Sequence, residues 1–125
     1  MKLRIRGDSL RLRLTQGEVR QLRETGSVVE VVHFGASELR YELRASAVAA
    51  ASASFEGGAV VVELPQATAH AWADGDEVGI TGSQAFAGGE LTLLIEKDFE
   101  CLAPREGEED SDAFPHPGKA TGASC

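Results

Sequence analysis

The most constraining feature of the sequence is a pattern that occurs twice, once in each half of the chain. At an offset of 50 residues, Gly7 aligns with Gly57 and Leu14 with Leu64. The same offset aligns further apolar and helical positions: Ile5 with Phe55, Leu10 with Val60, Leu12 with Val62, Gln16 with Gln66, Val19 with Ala69 and Leu22 with Trp72. Because glycine, apolar and helical positions agree in order, we predict an internal duplication.

Further along the chain, the alignment of the two halves needs two adjustments. A one-residue deletion aligns Val31 with Ile80. A three-residue insertion placed after that strand then aligns Leu39 with Leu91. The alignment therefore predicts that both halves contain the same elements in the same order.

Each half is predicted to fold as strand, tight turn, strand, helix, strand, loop and strand. Apolar side chains alternate with polar ones on both sides of Gly7-Asp8 and Gly57-Gly58, which is typical of short hairpins. The predicted strands are residues 2–6, 9–14, 28–34 and 38–44 in the first half, and 53–56, 59–64, 77–81 and 91–96 in the second.

The two predicted helices follow the second strand of each half. In the first half, Thr15 and Glu18 form a capping-box pattern, and Gly26 is typical of a helix end. In the second half, Pro65 precedes a helix over residues 66–73. Trp72 of that helix is expected to fill the core, as Leu22 does in the first half.

The predicted fold class is mainly β: a β-barrel with two short helices and a pseudo-two-fold internal repeat. With 125 residues, the chain suits a single domain. We expect this domain to cover residues 1–102, with repeats at 2–44 and 53–97. Residues 103–125 are rich in acid, proline and glycine, a composition that favours a largely disordered tail.

The second half carries the closest likeness to a known fold. Its sequence contains Val60-Val-Val-Glu-Leu-Pro-Gln-Ala, then Gly75-Asp-Glu-Val-Gly-Ile and Leu91-Thr-Leu-Leu-Ile-Glu-Lys. This pattern resembles the swapped-hairpin barrel of AbrB-type transition regulators and related antitoxins, in which two chains interlock and each supplies one such unit. The resemblance implies a pseudo-dimer fused into one chain, and a possible role as a DNA-binding regulator.

A second resemblance spans most of the chain. Its opening, Met1-Lys-Leu-Arg-Ile-Arg-Gly, together with Glu96-Lys-Asp-Phe-Glu-Cys-Leu and Asp112-Ala-Phe-Pro-His-Pro, is similar to an uncharacterised bacterial family of small proteins. That family resemblance implies no known activity.

Charge is divided unequally between the two ends of the chain. Residues 1–44 hold nine basic and six acidic side chains, a sum of +3, whereas residues 45–125 hold three and fourteen, a sum of −11. The total of −8 argues against a general nucleic-acid coat, because such proteins carry a basic excess. A local site for an anion at the amino-terminal end is still compatible with these charges.

The basic side chains concentrate on the first predicted hairpin. Its two-residue turn pairs residues whose numbers sum to 15: Lys2 with Arg13, Arg4 with Arg11 and Arg6 with Ser9. Like charges directly opposite one another destabilise an antiparallel pair, so we expect negative groups nearby. The candidate anion-binding or partner-binding residues are Lys2, Arg4, Arg6, Arg11, Arg13, Arg20 and Arg23.

Two kinds of partner could neutralise this hairpin. An internal one would be Glu30, Glu42, Glu63 or Glu96, or the charges could simply be solvated. An external one would be a protein or DNA phosphate, since arginine binds phosphate in a bidentate manner. A further hypothesis has the acidic tail fold onto the hairpin, and deletion of residues 104–125 should then change the affinity for anions.

The second hairpin speaks against symmetric DNA recognition. Its pairs sum to 115 and are Ser52 with Glu63, Ser54 with Val61 and Glu56 with Ala59, with no basic side chain among them. A symmetric operator would require equivalent surfaces in both halves. Nucleic acid is therefore a disfavoured partner.

The sequence gives little support for catalysis, metals or cofactors. It contains no nucleophile-elbow, phosphate-loop or dinucleotide fingerprint, and His33 and His70 are expected to be structural or solvent-facing. Cys101, His116 and Cys125 are spaced too widely for a compact zinc site. The acidic run at 108–112 lacks the glycine and distal glutamate of a calcium loop.

We therefore expect a non-enzymatic interaction or regulatory module without a cofactor. An AbrB-like DNA-binding regulator is the alternative, and a barrel that binds a small ligand or catalyses a reaction comes third. The chain has neither a secretory signal pattern nor an apolar run of about 20 residues, which predicts a cytoplasmic protein with reduced cysteines. A monomer or weak dimer is expected.

Overall fold

The protein is described by a computed structural model, and the described part of the chain is residues 1–99. It contains eight strands and two helices in the described range: β1 (Lys2–Ile5), β2 (Ser9–Leu14), α1 (Gln16–Thr25), β3 (Ser27–His33), β4 (Glu38–Ser46), β5 (Ser52–Glu56), β6 (Ala59–Pro65), α2 (Gln66–Asp74), β7 (Gly79–Phe86) and β8 (Gly89–Lys97). The predicted mainly β class with two short helices is confirmed.

The strands form two four-stranded sheets that interlock the two halves of the chain. One sheet has the order β1-β2-β8-β7 and the other has the order β3-β4-β6-β5. Each sheet therefore joins one hairpin from the first half to one hairpin from the second. The junctions are the parallel pairs β2–β8 and β4–β6, whereas the hairpins themselves are antiparallel.

The two junctions have the same register. Leu12 lies opposite Ile95 in the first junction, and Val62 lies opposite Leu43 in the second. Val62 lies 50 residues after Leu12, and Ile95 lies 52 residues after Leu43. Exchanging the halves thus converts one sheet into the other, both in strand order and in residue pairing.

The predicted alignment of β3 with β7 is wrong by three residues. Val28 pairs with Leu43 and Ile80 pairs with Ile95, so Ile80 corresponds to Val28 and not to Val31. The three extra residues precede β7 instead of following it. They lengthen the connection after α2, where the Val78 carbonyl accepts a hydrogen bond from the Trp72 indole at 3.1 Å. Trp72 is larger than Leu22, its counterpart in the first half, and the connection after its helix is longer than the one after α1.

The predicted closed barrel is not found, because the sheet edges meet without a continuous backbone ladder in the described part of the chain. We call the two places where an edge of one sheet meets an edge of the other the seams. At the β5–β7 seam, the Gln84 side chain accepts a hydrogen bond from the Ala53 amide (2.7 Å) and donates one to the Ala53 carbonyl (2.9 Å). At the β1–β3 seam, the Met1 ammonium group contacts Glu30 at 2.9 Å.

The core lies between the sheets and is covered at one end by the helices. Its fully buried strand residues include Leu14, Leu43, Leu64 and Leu93. The helices add further side chains: Val19, Leu22, Ala69 and Trp72. Trp72 has no exposed surface, which confirms its predicted place in the core. All four hairpin turns lie at the opposite end, because β2, β4, β6 and β8 all run towards the helices.

The start and end of α1 follow the local sequence. Thr15 accepts a hydrogen bond from the Glu18 amide, and the Glu18 side chain accepts one from the Thr15 amide at 2.9 Å. Gly26 ends the helix with φ of 90°, a left-handed conformation that favours glycine. The predicted capping box and glycine cap are therefore confirmed.

Several predictions fall outside residues 1–99. These concern the tail at 103–125, together with Cys101, His116 and Cys125 and the acidic run at 108–112. Within the described range, neither helix is long and apolar enough to cross a membrane.

The seam between β5 and β7 predicts a difference between two equivalent positions. Gln84→Ala should lower the free energy of unfolding by about 1–3 kcal/mol, because the Ala53 amide and carbonyl lose their partners. The matched control is Val32→Ala at the equivalent, half-exposed position of β3, where we expect a loss of roughly 1 kcal/mol or less. Urea unfolding measures both, and equal losses would contradict the proposed role of the amide.

Candidate functional site

Five of the seven candidate basic residues lie on or beside the first hairpin. The predicted pairs are present: Lys2 lies opposite Arg13 and Arg4 opposite Arg11. Their side chains alternate with Leu3, Leu12 and Leu14, which pack into the core or against it, so the charged row lies on the outer surface of the sheet. We define the basic face as Lys2, Arg4, Arg6, Arg11 and Arg13.

The internal acid nearest to this face comes from the other half of the chain. Glu96 lies on β8, directly opposite Arg13 in the parallel pair with β2. Arg11 donates to Glu96 Oε1 from Nε at 2.8 Å, with Nη2 at 2.6 Å from the same oxygen. The Nε atom of Arg13 lies 3.1 Å from that oxygen as well. A single carboxylate therefore faces two guanidinium groups.

The other three expected acids are engaged elsewhere. Glu42 and Glu63 lie on the opposite sheet beside Arg44, at 3.0 Å and 3.8 Å from its nitrogens. Glu30 contacts the Met1 ammonium group instead of an arginine of the hairpin. Of the four glutamates considered from the sequence, Glu96 alone pairs with the basic face in the described part of the chain.

This internal pairing leaves hydrogen-bonding capacity on the basic face. The Arg13 side chain is only 16% exposed, yet its Nε and Nη2 atoms are buried and donate no hydrogen bond. Its Nε is close to Glu96 but lacks the alignment of a hydrogen bond. Arg4 and Arg6 are exposed and form no ion pair with any group in residues 1–99, while Lys2 Nζ lies 3.4 Å from Asp98. Arg4 and Arg6 are thus the arginines of the face that an external anion can reach.

The equivalent position in the other sheet carries the opposite charges. Arg13 and Glu96 are paired across β2–β8, whereas Glu63 and Arg44 are paired across β6–β4 at the corresponding register. In the first sheet the arginine lies on β2 and the glutamate on β8, whereas in the second sheet the glutamate lies on β6 and the arginine on β4. Because Val61 stands where the first half has Arg11, the second sheet cannot form a matching basic face.

The amino terminus fixes the position of the first hairpin. The Met1 ammonium group donates to the carboxylates of Glu18 and Glu30, and the Tyr41 hydroxyl donates to the Met1 carbonyl at 3.2 Å. The Met1 side chain is fully buried. These contacts hold the start of β1 against α1, β3 and β4. They could not be predicted from side-chain patterns, because the donor is a backbone terminus.

The ion cluster at Met1 perturbs three pKa values. Burial alone would lower the pKa of the Met1 ammonium group, but hydrogen bonds and charges from Glu18 and Glu30 outweigh burial and raise it. Burial alone would raise the pKa of Glu18, but the ammonium group and the Thr15 amide outweigh it and lower the pKa. Burial, aided by the charges of Glu30 and Glu18, raises the pKa of Tyr41.

Arg20 and Arg23, the remaining candidate residues, lie on α1 and not on the basic face. They line a groove of about 880 Å³ between the two helices and the end of β8. Arg23 Nε donates to both carboxylate oxygens of Asp74 at 3.1 Å. Three acidic and three basic side chains line the groove, so its net charge gives no preference for an anion.

Lys97 is a member of this groove that the sequence did not single out. Its ammonium nitrogen lies 5.6 Å from the centre of the Trp72 ring and donates to the Gly75 carbonyl at 3.0 Å. His33 lies exposed within 3.6 Å of Glu38, and no group of three metal-ligating side chains occurs among residues 1–99.

Comparison with known sequences assigns the chain to a family. The sequence model described as "Family of unknown function (DUF7009)" matches residues 1–118. The chain belongs to this family. The DUF7009 match spans both interlocked halves and the whole basic face, and it agrees with the expected membership of an uncharacterised family. No curated protein and no solved structure matches the chain.

The ion cluster at Met1 predicts how stability of this DUF7009 protein depends on pH. The raised pKa of the ammonium group stabilises the fold below pH about 8, and this contribution is lost as pH rises further. The lowered pKa of Glu18 stabilises the fold above pH about 4.5, and this contribution is lost as pH falls. The free energy of unfolding should therefore be greatest between these limits.

Glu18→Gln separates this cluster from other titrating groups. Glutamine can keep the capping box, but it removes one of the two charges that face the ammonium group and leaves that of Glu30. The variant should show a weaker fall in stability on both the acid and the alkaline side in urea unfolding. The control is Glu24→Gln, an exposed change on the same helix. If Glu18→Gln and the wild type lose stability equally above pH about 8, the ammonium group does not stabilise the fold as described.

Proposed function

We propose that the chain is a non-enzymatic interaction module that binds an anionic partner on the basic face. The supporting observation is the imbalance on that surface. Lys2, Arg4 and Arg6 are exposed there, and within the described range the only ion pair that any of these three forms is that of Lys2 Nζ with Asp98, at 3.4 Å. Exposed guanidinium groups without an acidic partner can form charge-assisted hydrogen bonds to an external carboxylate or phosphate.

The proposed partner is a carboxylate-rich protein segment. Guanidinium groups bind carboxylates in a bidentate manner, and the exposed Arg4 and Arg6 are available for such contacts. The chain itself offers one segment of this composition at residues 106–112, which we propose as an internal competitor for the same face. That segment lies outside the described residues.

We further propose that the two halves derive from an AbrB-like swapped-hairpin unit by duplication and fusion. The interlocked strand orders and the matching registers of the two sheets support this proposal. DNA binding at a symmetric site is less well supported, because Glu63 and Arg44 replace the equivalent Arg13 and Glu96. We place the module in the cytoplasm of a bacterium as part of the same proposal.

A binding experiment with two simple probes tests the proposed function. Labelled octaglutamate and a labelled random DNA duplex are titrated with the full chain and followed by fluorescence anisotropy. We expect octaglutamate to bind with an affinity that falls as salt increases, and to bind more tightly than the duplex. Arg4→Ala combined with Arg6→Ala should weaken octaglutamate binding about tenfold, because two charge-assisted contacts are lost.

The matched control is Arg40→Ala, which removes an exposed arginine from the other sheet. It should leave the affinity for octaglutamate unchanged. Tighter binding of the duplex than of octaglutamate would favour the AbrB-like alternative. Equal effects of the two arginine variants would show that binding depends on overall charge and not on the basic face.

A further inference from the structure

The end of the fold opposite the helices is open and apolar. Along β2, Leu14 and Leu12 are buried whereas Leu10, nearest the turn, is only partly buried. The edge strands continue this trend, and Ile5, which pairs with Leu10 and faces the same side, is 60% exposed. The two helices cover the core at the other end only. Near the turns, the last inward-facing side chains of the strands therefore have no element packed over them in the described part of the chain.

Three phenylalanines lie at this open end. Phe34, Phe55 and Phe86 are 66%, 66% and 50% exposed, respectively. Phe34 and Phe86 occupy equivalent positions after β3 and at the end of β7, and Phe55 is the equivalent of Ile5. Both halves therefore carry exposed apolar side chains at the same two places. We define the apolar end as Ile5, Phe34, Phe55 and Phe86.

Acidic side chains surround the apolar end. Each of the four hairpins places one exposed carboxylate at or beside its turn: Asp8, Glu38, Glu56 and Glu90. The basic residues at the corresponding turn positions are Arg6 and His33. The surface near the turns is therefore apolar at its centre and acidic overall at its rim, which differs from the basic face on the outside of the first hairpin.

We propose that the apolar end binds a short segment of a partner protein that carries one or two large apolar side chains flanked by lysine or arginine. Apolar side chains of the segment would pack on the phenylalanines, and its cations would lie near the rim carboxylates. Exposed apolar surface of this kind with a polar rim is typical of interaction sites. This surface adjoins the basic face at Arg6, but its centre is apolar and its proposed partner has the opposite charge.

The charge of the surface favours a short basic segment over a second copy of the chain. Two copies would bring like-charged rims together, which disfavours their association. The acidic tail of the chain has the wrong charge for the same reason.

Anisotropy with matched synthetic peptides tests this proposal. The probe is a labelled peptide in which leucine and phenylalanine lie between lysine pairs (KKLFKK), and the comparison peptides are KKSSKK and EELFEE. The full chain should bind KKLFKK at least about tenfold more tightly than either comparison peptide. Phe55→Ser combined with Phe86→Ser should weaken binding of KKLFKK about tenfold.

Two further variants separate specific binding from general effects. Glu56→Gln combined with Glu90→Gln should weaken binding and reduce its salt dependence while leaving the apolar surface intact. Phe99→Ser removes a phenylalanine that is 55% exposed beside the helical groove, and it should leave peptide binding unchanged. Thermal unfolding of each variant checks that the fold is retained.

Two results would overturn the proposal. The first is binding of KKLFKK that is equally strong in the folded Phe55→Ser and Phe86→Ser double variant. The second is a wild-type dimer in analytical ultracentrifugation that becomes a monomer in that variant, since this would identify a second copy as the occupant. A monomeric wild type that binds KKLFKK in the expected order would support a basic partner segment.

Discussion

The parallel pairing of β2 with β8, and of β4 with β6, is the constraint on which the rest of the structure depends. Neither half can complete a four-stranded sheet by itself, because each sheet takes one hairpin from each half. The same pairing determines the chemistry of the candidate site, since it places Glu96 of the second half directly opposite Arg13 of the first. The same long-range strand pairings therefore determine both the fold and the position of Glu96 in the candidate site.

Local features of the fold could be predicted from sequence, and long-range ones could not. The turn at Gly7-Asp8 determines which residues pair in the first hairpin, and Thr15 with Glu18 determines where α1 begins, because both depend on neighbours within a few residues. The three-residue shift of β7 could not be predicted, since β3 carries valines on both of its faces, Val28 and Val32 on one and Val29 and Val31 on the other, and alternation therefore does not determine the register. The side-chain contacts that replace a closed barrel at the seams have no local signal either.

In the candidate site, too, local features could be predicted from sequence and long-range ones could not. The sequence predicted a row of basic side chains and four acids that could face it, but the choice among them required the sheet order. Arg13 and Glu96 correspond to Glu63 and Arg44 of the other sheet, so both sheets contain the pairing, with the charges on opposite strands. The first hairpin carries a basic face without a counterpart in the other sheet, and the fold combines it with an apolar, acid-rimmed end.

The affinity of a Glu96→Gln variant for octaglutamate is the most direct test of this interlocked arrangement. Glu96 is held beside Arg11 and Arg13 only if β8 borders β2, and there it competes with any external carboxylate. Removing its charge should therefore tighten octaglutamate binding severalfold, whereas Glu63→Gln on the other sheet should have little effect. Unchanged or weaker binding by the folded Glu96→Gln variant would contradict the arrangement.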